Sequence, residues 1–161
     1  MSRTDLILRP ASGSDDFEAV RDVFREYAAA LGVDLCFQDF DQELVDAETI
    51  YSPPEGRVLL AYEGSTFAGC VGVRRQQGEL CEMKRLYVRP AFRGRGLGRR
   101  LAEEAMGAAR DLGYARVCLD TLPEMDAARS LYASLGFTEI EAYYNNPLAD
   151  VMYLEAQLNA P

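Results

Sequence analysis

Histidine is absent from this chain. That removes the commonest general base, the commonest metal ligand and every Ser-His or Cys-His dyad, so proton chemistry must run on other groups. Cysteine is sparse and scattered, and Cys36, Cys70, Cys81 and Cys118 form no CxxC pair. They read as small buried hydrophobes in a reducing compartment, not as a disulfide framework or zinc site, and a cytoplasmic location is expected. An acyl-enzyme route through Cys81 or Cys118 would need a base to make thiolate, and no histidine can supply it. No apolar run is long enough to span a membrane, and the first residues lack the apolar core of a signal peptide, so no membrane partner is expected. Basic residues are outnumbered, 17 Lys and Arg against 26 Asp and Glu, for a formal net charge of −9. That balance argues against nucleic acid as a partner, since such binding depends on neutralising phosphates. No metal is expected.

What is present reads as a globular domain. At 161 residues, 48% hydrophobic and 27% charged, the chain is long enough for one core and short for two, so residues 1–161 are expected as one domain. Leu6-Ile7-Leu8, ended by Pro10, predicts a first strand. Phe17, Val20, Phe24, Tyr27 and Leu31 recur at helical spacing, with Asp15 and Asp16 at the positive end and Gly32 as the stop. Residues 57–62 and 67–73 are strand-like around the hairpin signal Glu63-Gly64-Ser65, and 79–88 form a longer strand ended by Pro90. Leu97, Leu101, Ala105, Ala108 and Leu112 mark a helix face closed by Gly113. Val117-Cys118-Leu119 is a short strand, and Ala127, Leu131 and Leu135 mark the next helix, up to Gly136. Residues 137–144 and 151–158 predict two final strands around a turn at Asn145-Asn146-Pro147. The expected class is α/β with a mixed sheet, in the order β-α-β-β-β-α-β-α-β-β, with a less regular segment after the first helix.

The densest signal is residues 93–101, Arg-Gly-Arg-Gly-Leu-Gly-Arg-Arg-Leu, a basic island in an acidic chain. Glycines at alternate positions let the backbone approach a ligand closely. An apolar helical pattern follows at once, so the loop should deliver free amides onto a helix N-terminus, a site for phosphate. Lys84, Arg85, Arg89, Arg93, Arg95, Arg99 and Arg100 crowd this span with no intervening acid and would reinforce an anion site. A Walker-type loop needs Gly-Lys-Ser/Thr, which does not follow, and a dinucleotide fingerprint counted from Gly94 puts Arg99 where its third small residue belongs.

The spacing Arg93-x-x-Gly96-x-Gly98, between a strand and a helix, resembles the pyrophosphate signature of the GNAT superfamily of acyl-CoA N-acyltransferases. Glu82-Met83-Lys84-Arg85-Leu86-Tyr87-Val88-Arg89-Pro90 looks like that family's central strand. Ser130-Leu131-Tyr132-Ala133-Ser134-Leu135-Gly136-Phe137 looks like its Leu-Tyr-x-x-x-Gly-Phe segment, and the resemblance covers nearly the whole chain. It implies a GNAT-like fold, with a mostly antiparallel sheet and a cofactor cleft at the central strand. It also implies acetyl-CoA as co-substrate, with the acyl group moving to a primary amine by direct attack in a ternary complex. By that resemblance the pyrophosphate would lie on the amides of Arg93, Gly94, Arg95, Gly96, Leu97 and Gly98, with Arg99 adding a side chain. The pantetheine arm would pair with main-chain atoms of Leu86 and Val88, and a strand amide would face the developing oxyanion. Tyr132 corresponds to the tyrosine that protonates the leaving thiolate in many members, and it falls beside the Ala127/Leu131/Leu135 stripe. Glu82 stands where several members carry a glutamate base; the plainer alternative is a strand glutamate paired with a nearby arginine. The chain departs from the family at Met125, where many members carry a coenzyme-binding asparagine; Thr121 and Asp126 are the candidates to replace that contact.

The acceptor is written less clearly. Asp34, Asp39, Asp41, Glu43, Asp46, Glu48 and Glu55, with Phe37, Phe40 and Tyr51, fall in a segment without Lys or Arg. An acidic, aromatic wall would favour a cationic amine, while a solvated helix face and loop is the alternative. Tyr143, Tyr144, Asn145 and Asn146 can approach the same site from the final hairpin, or serve only as turn chemistry. A small-molecule amine acceptor leads, with a protein or peptide amine next and a non-catalytic acyl-CoA sensor from another class. The sequence is compatible with a homodimer.

Overall fold

The computed structural model describes residues 5–32, 39–122, 125–148 and 150–158. Its strands are Leu6–Pro10 (β1), Arg57–Glu63 (β2), Thr66–Gln77 (β3), Leu80–Val88 (β4), Arg116–Thr121 (β5), Thr138–Ile140 (β6) and Met152–Gln157 (β7). The helices are Gly13–Leu31 (α1), Phe40–Val45 (α2), Ala47–Ile50 (α3), Leu97–Asp111 (α4) and Asp126–Ser134 (α5). The expected order holds, with α2 and α3 inside the segment that read as irregular. Seven strands form one sheet, β1-β2-β3-β4-β5-β7-β6. Every neighbouring pair is antiparallel except β4 with β5.

Two apolar layers cover the sheet. Phe17, Val20 and Phe24 of α1 pack with Leu44, Ala47 and Tyr51 on one face. Leu97, Leu101, Ala102, Ala105 and Ala109 of α4 pack on the other, where alanines let the helix approach the strands closely. α1 is fixed at its start by Asp16, which accepts from the Ser12 amide at 2.8 Å, and ends at Gly32 with φ 67°.

Two details depart from the sequence pattern. Tyr132 is the buried residue of α5, while Ala127 is exposed, so the inward face carries Ala128, Leu131, Tyr132 and Leu135. The Tyr132 ring packs edge-on against Phe137, with centroids 5.6 Å apart, and that contact turns the helix. β6 also stops at Ile140, because Tyr143 and Tyr144 leave the strand to hydrogen-bond Glu82 and Asp120.

A cleft follows from the sheet itself. β4 and β5 pair only over Leu80–Glu82 against Arg116–Cys118, and then diverge. The β3–β4 register slips between Cys70 and Gly72, opposite Arg85, whose φ of 60° marks a β-bulge. That left-handed backbone is unusual for a long side chain. Arg85 is held there by Glu43, through Nε at 3.1 Å and Nη2 at 2.9 Å, and lies over the rings of Phe40 and Tyr27.

Candidate active site

The glycine loop joins the end of β4 to the start of α4. Gly94 and Gly96 have φ of 77° and 76°, and Gly96 is the N-cap of α4. A Cβ at either would meet no protein atom within 4 Å, so the space above the loop is open and the backbone conformation is what demands glycine. The first bond of α4 runs from the Arg100 amide to the Gly96 carbonyl at 3.1 Å. Among the described residues the amides of residues 94–99 donate to no protein acceptor. These open donors at a helix start fit a pyrophosphate.

The arginines around the loop are largely engaged. Arg89 is paired with Glu26 at 2.9 Å and Arg95 with Glu63 at 2.6 Å. Arg93 donates to the Val88 carbonyl and Arg100 to the Leu6 carbonyl. Lys84 and Arg85 are buried in the interior. The island lacks acids in its own sequence, but α1, α2 and β2 bring them from elsewhere. Arg99 is the exposed member nearest the helix start, resting on Ser134 and Glu103 at 2.5 and 3.5 Å. Gly98 sits within reach of Val88, to whose Cγ2 an added Cβ would come within 3.9 Å.

Between the diverging strands the cleft is lined by Met83, Leu86, Leu119, Thr121, Met125 and Tyr132, among others. Leu86 therefore reaches the cleft; Val88 is not among the residues that line it, and its carbonyl accepts from Arg93. Thr121 donates to the Met125 sulfur at 3.8 Å, while Asp126 is exposed. Burial pushes the Tyr132 hydroxyl well above the ordinary tyrosine range, with Tyr27 and Asp120 adding to it, so it keeps its proton.

A second pocket, of about 180 Å³, is lined by Asp39, Arg74, Glu82, Lys84, Tyr143 and Tyr144. Glu82 is 1% exposed. Its Oε1 accepts from Arg74 Nε at 3.1 Å and its Oε2 from the Tyr143 hydroxyl at 2.6 Å, with Lys84 Nζ 3.9 Å away. Burial raises the Tyr143 hydroxyl pKa far above its usual range, and the Glu82 charge raises it further. Tyr144 donates to Asp120 and receives Asn146 Nδ2 at 2.9 Å. Behind the pocket, Glu43 accepts from Tyr51 at 3.1 Å as well as from Arg85. Burial pushes the Glu43 carboxyl up, but the Arg85 hydrogen bonds and the charges of Arg85, Lys84 and Arg74 outweigh it and leave its pKa lowered.

Much of the expected acidic wall is turned elsewhere. Asp34, Cys36 and Phe37 lie outside the described residues. Phe40 and Tyr51 are core residues, Glu43 is sequestered, Glu55 faces Arg75 at 3.6 Å, and Asp41 and Glu48 are exposed. Asp39 alone of that segment lines the pocket, among the described residues. Burial pushes the thiols of Cys81 and Cys118 up to about 12, which opposes thiolate chemistry. Arg74 and Asp120 are site-lining residues that the sequence reading missed. Arg74 had no local signal: a turn at Gly78-Glu79 alone would set Arg75 opposite Glu82, and the register shift between Arg75 and Gln77 brings Arg74 there instead.

With this geometry in view, residues 17–137 match the family model described as acetyltransferase (GNAT) family. An uncharacterized N-acetyltransferase of Schizosaccharomyces pombe is 42% identical over 147 residues, covering 90% of this chain and 88% of the relative. A GNAT-family acetyltransferase structure from Staphylococcus aureus superposes with a TM-score of 0.76 at 17% identity, over 96% of this chain and 100% of the other. A Salmonella typhimurium structure described with its cofactor acetyl-CoA gives 0.71 at 22% identity, over 96% and 94% of the two chains.

Proposed function

From the premise that this chain belongs to the GNAT acetyltransferase family, and is an acyl-CoA-dependent N-acetyltransferase, we propose that its acceptor is a small-molecule primary amine. In this reading residues 1–161 act as one cytoplasmic catalytic domain, and acetyl-CoA is the acyl donor. The pyrophosphate is held by the open amides from Gly94 to Arg99, next to Arg93, whose own amide donates to the Pro90 carbonyl. The pantetheine arm runs along β4 at Leu86 and Val88, where β5 has already diverged. The amine enters from the Glu82 pocket and attacks the thioester directly, with Asp39 and Glu82 as the carboxylates that a cationic acceptor would meet.

The chemistry divides between two groups. Tyr132, buried and protonated in the cleft, supplies a proton to the departing thiolate. Glu82 provides the negative charge that draws the proton from the attacking amine. The observation that carries this reading is the shared wall. Lys84 lines both the coenzyme cleft and the Glu82 pocket, so donor and acceptor spaces meet at one point on β4.

The test is release of free thiol from acetyl-CoA by purified protein across a panel of small amines and peptides. Turnover with small amines is the expected result. Turnover with peptides alone would replace the acceptor by a protein amine. Thermal stabilisation by coenzyme A without any turnover would make the chain an acyl-CoA sensor.

A further inference from the structure

The 17 basic residues of this chain include a single lysine, Lys84, and the chain has no histidine. Arginine stays protonated under all physiological conditions, so Lys84 is the one side-chain nitrogen able to release and take up a proton near neutral pH. It is also the residue where the two cavities meet, lining the coenzyme cleft and the Glu82 pocket alike. Every other basic side chain in the sequence is an arginine. Its lone lysine is 6% exposed, on the central strand, one residue before the bulge at Arg85.

We propose that Lys84 is the proton acceptor of the transfer reaction, taking the proton from the attacking amine while Glu82 stabilises the ammonium that forms. The proposal rests on the N-acetyltransferase reading above and assigns the atom that receives the proton. Glu82 is poorly placed to take it directly, because Arg74 and Tyr143 already donate to its two oxygens. Lys84 Nζ lies 3.9 Å from Glu82 Oε1, a distance at which the carboxylate favours the charged amine without occupying the pocket itself.

The surroundings tune the group in both directions. Burial lowers the Lys84 pKa most; Glu82 and Glu43 raise it, Arg85 and Arg74 lower it, and the result is about 8. Asp39 and Tyr143 face the same pocket, and Asp120 faces the cleft from β5, where Tyr144 holds it. A base with this value is partly unprotonated near neutral pH, whereas an ordinary lysine, at about 10.4, is not.

The balance is complete. The amine nitrogen bonds to the thioester carbon, its proton passes to Lys84 Nζ, the carbon–sulfur bond breaks, and the thiolate receives the Tyr132 proton. Lys84 then loses its proton to solvent and Tyr132 regains one, leaving amide and free coenzyme thiol.

The single lysine makes a direct measurement possible. Protein grown with lysine carrying 13C at Cε gives one side-chain resonance, which reports Lys84 without assignment. Its titration midpoint is expected near 8 in the wild-type protein. Lys84→Arg keeps the positive charge beside Glu82 but cannot release a proton. It is expected to bind coenzyme A within about threefold of wild type while turnover falls at least about 100-fold. Lys84→Met should lose turnover similarly. A midpoint at the ordinary lysine value, or Lys84→Arg turning over within about threefold of wild type, overturns the proposal. Wild-type protein that binds coenzyme but acetylates no amine overturns the transfer reading and this inference together; turnover retained in Lys84→Arg overturns this inference alone.

Discussion

The two ends of the candidate site are built from different materials. At the loop end, the open groups are main-chain amides, set by Gly94 and Gly96 in left-handed conformations and by the start of α4. At the Glu82 end, the proposed acceptor site, they are side chains, and each depends on others: Glu82 on Arg74 and Tyr143, Arg85 on Glu43, Glu43 on Tyr51. A backbone site is fixed by local conformation and tolerates changes in most neighbouring side chains. A buried side-chain network fails as a unit when one member goes.

The sharpest test of that contrast lies behind the acceptor pocket. Glu43→Ala removes the carboxylate that holds Arg85, leaving a buried guanidinium without its pair and the Tyr51 hydroxyl without its acceptor. The expected loss is about 3–5 kcal/mol of unfolding free energy, read from urea denaturation. Less than about 1 kcal/mol would mean the network is not a unit. The same pair gives a pH signature. Glu43 has a depressed pKa when folded, so its stabilisation is complete above the unfolded value of about 4.3 and is lost as pH falls through the lower folded value. The wild type should therefore lose more stability below about pH 4.3 than a Glu43→Gln variant does.

At the loop end the damaging change is one that alters the backbone cradle itself. Gly96→Asp keeps a residue that tolerates the left-handed region, so the protein should fold, but it puts bulk and negative charge where the amides are open. Coenzyme A affinity is expected to fall at least about 1,000-fold by titration calorimetry, since like charges set face to face cost several kcal/mol. Unchanged binding in a folded variant would put the phosphates somewhere else.

Tyr132→Phe separates binding from chemistry. The ring contact with Phe137 survives the substitution and only the hydroxyl is lost. Turnover is expected to drop about 100-fold, with acetyl-CoA affinity changed by no more than about threefold. Equal losses in both would make Tyr132 a binding residue.

The same division explains what could be read from the sequence. The loop was legible because glycine spacing and a following helix are local facts, and Gly96 at the N-cap of α4 needs no distant partner. The order of elements along the chain followed from alternation, hairpin signals and helical spacing. What escaped depended on side chains meeting across the fold. The chain says nothing local about Arg89 finding Glu26, 63 residues away, or Arg85 finding Glu43, 42 away. The basic island therefore read as unpaired. Tyr143 and Tyr144 read equally as strand or turn, because their hydrogen bonds to Glu82 and Asp120 decide between them. The inward face of α5 was misjudged for a related reason: aromatic packing of Tyr132 on Phe137 outweighs the leucine–alanine stripe.

The smallest effect tests the contrast from the opposite side. Arg99 is the exposed arginine at the start of α4, already resting on Ser134 and Glu103. To reach a phosphate it must give up those contacts, and its side chain is 48% exposed, so most of the gain is screened by water. Arg99→Ala should weaken coenzyme A binding only about 1.4- to fivefold, matching the roughly 0.2–1 kcal/mol of exposed ion pairs. Raising salt from about 0.1 M to about 1 M shortens the screening length from about 10 Å to about 3 Å, so the gap between variant and wild type should close. A hundredfold loss, or a gap that survives high salt, would mean the loop end relies on a buried charge as the acceptor end does. The contrast between a backbone site and a side-chain network would then fail at the residue where it is easiest to check.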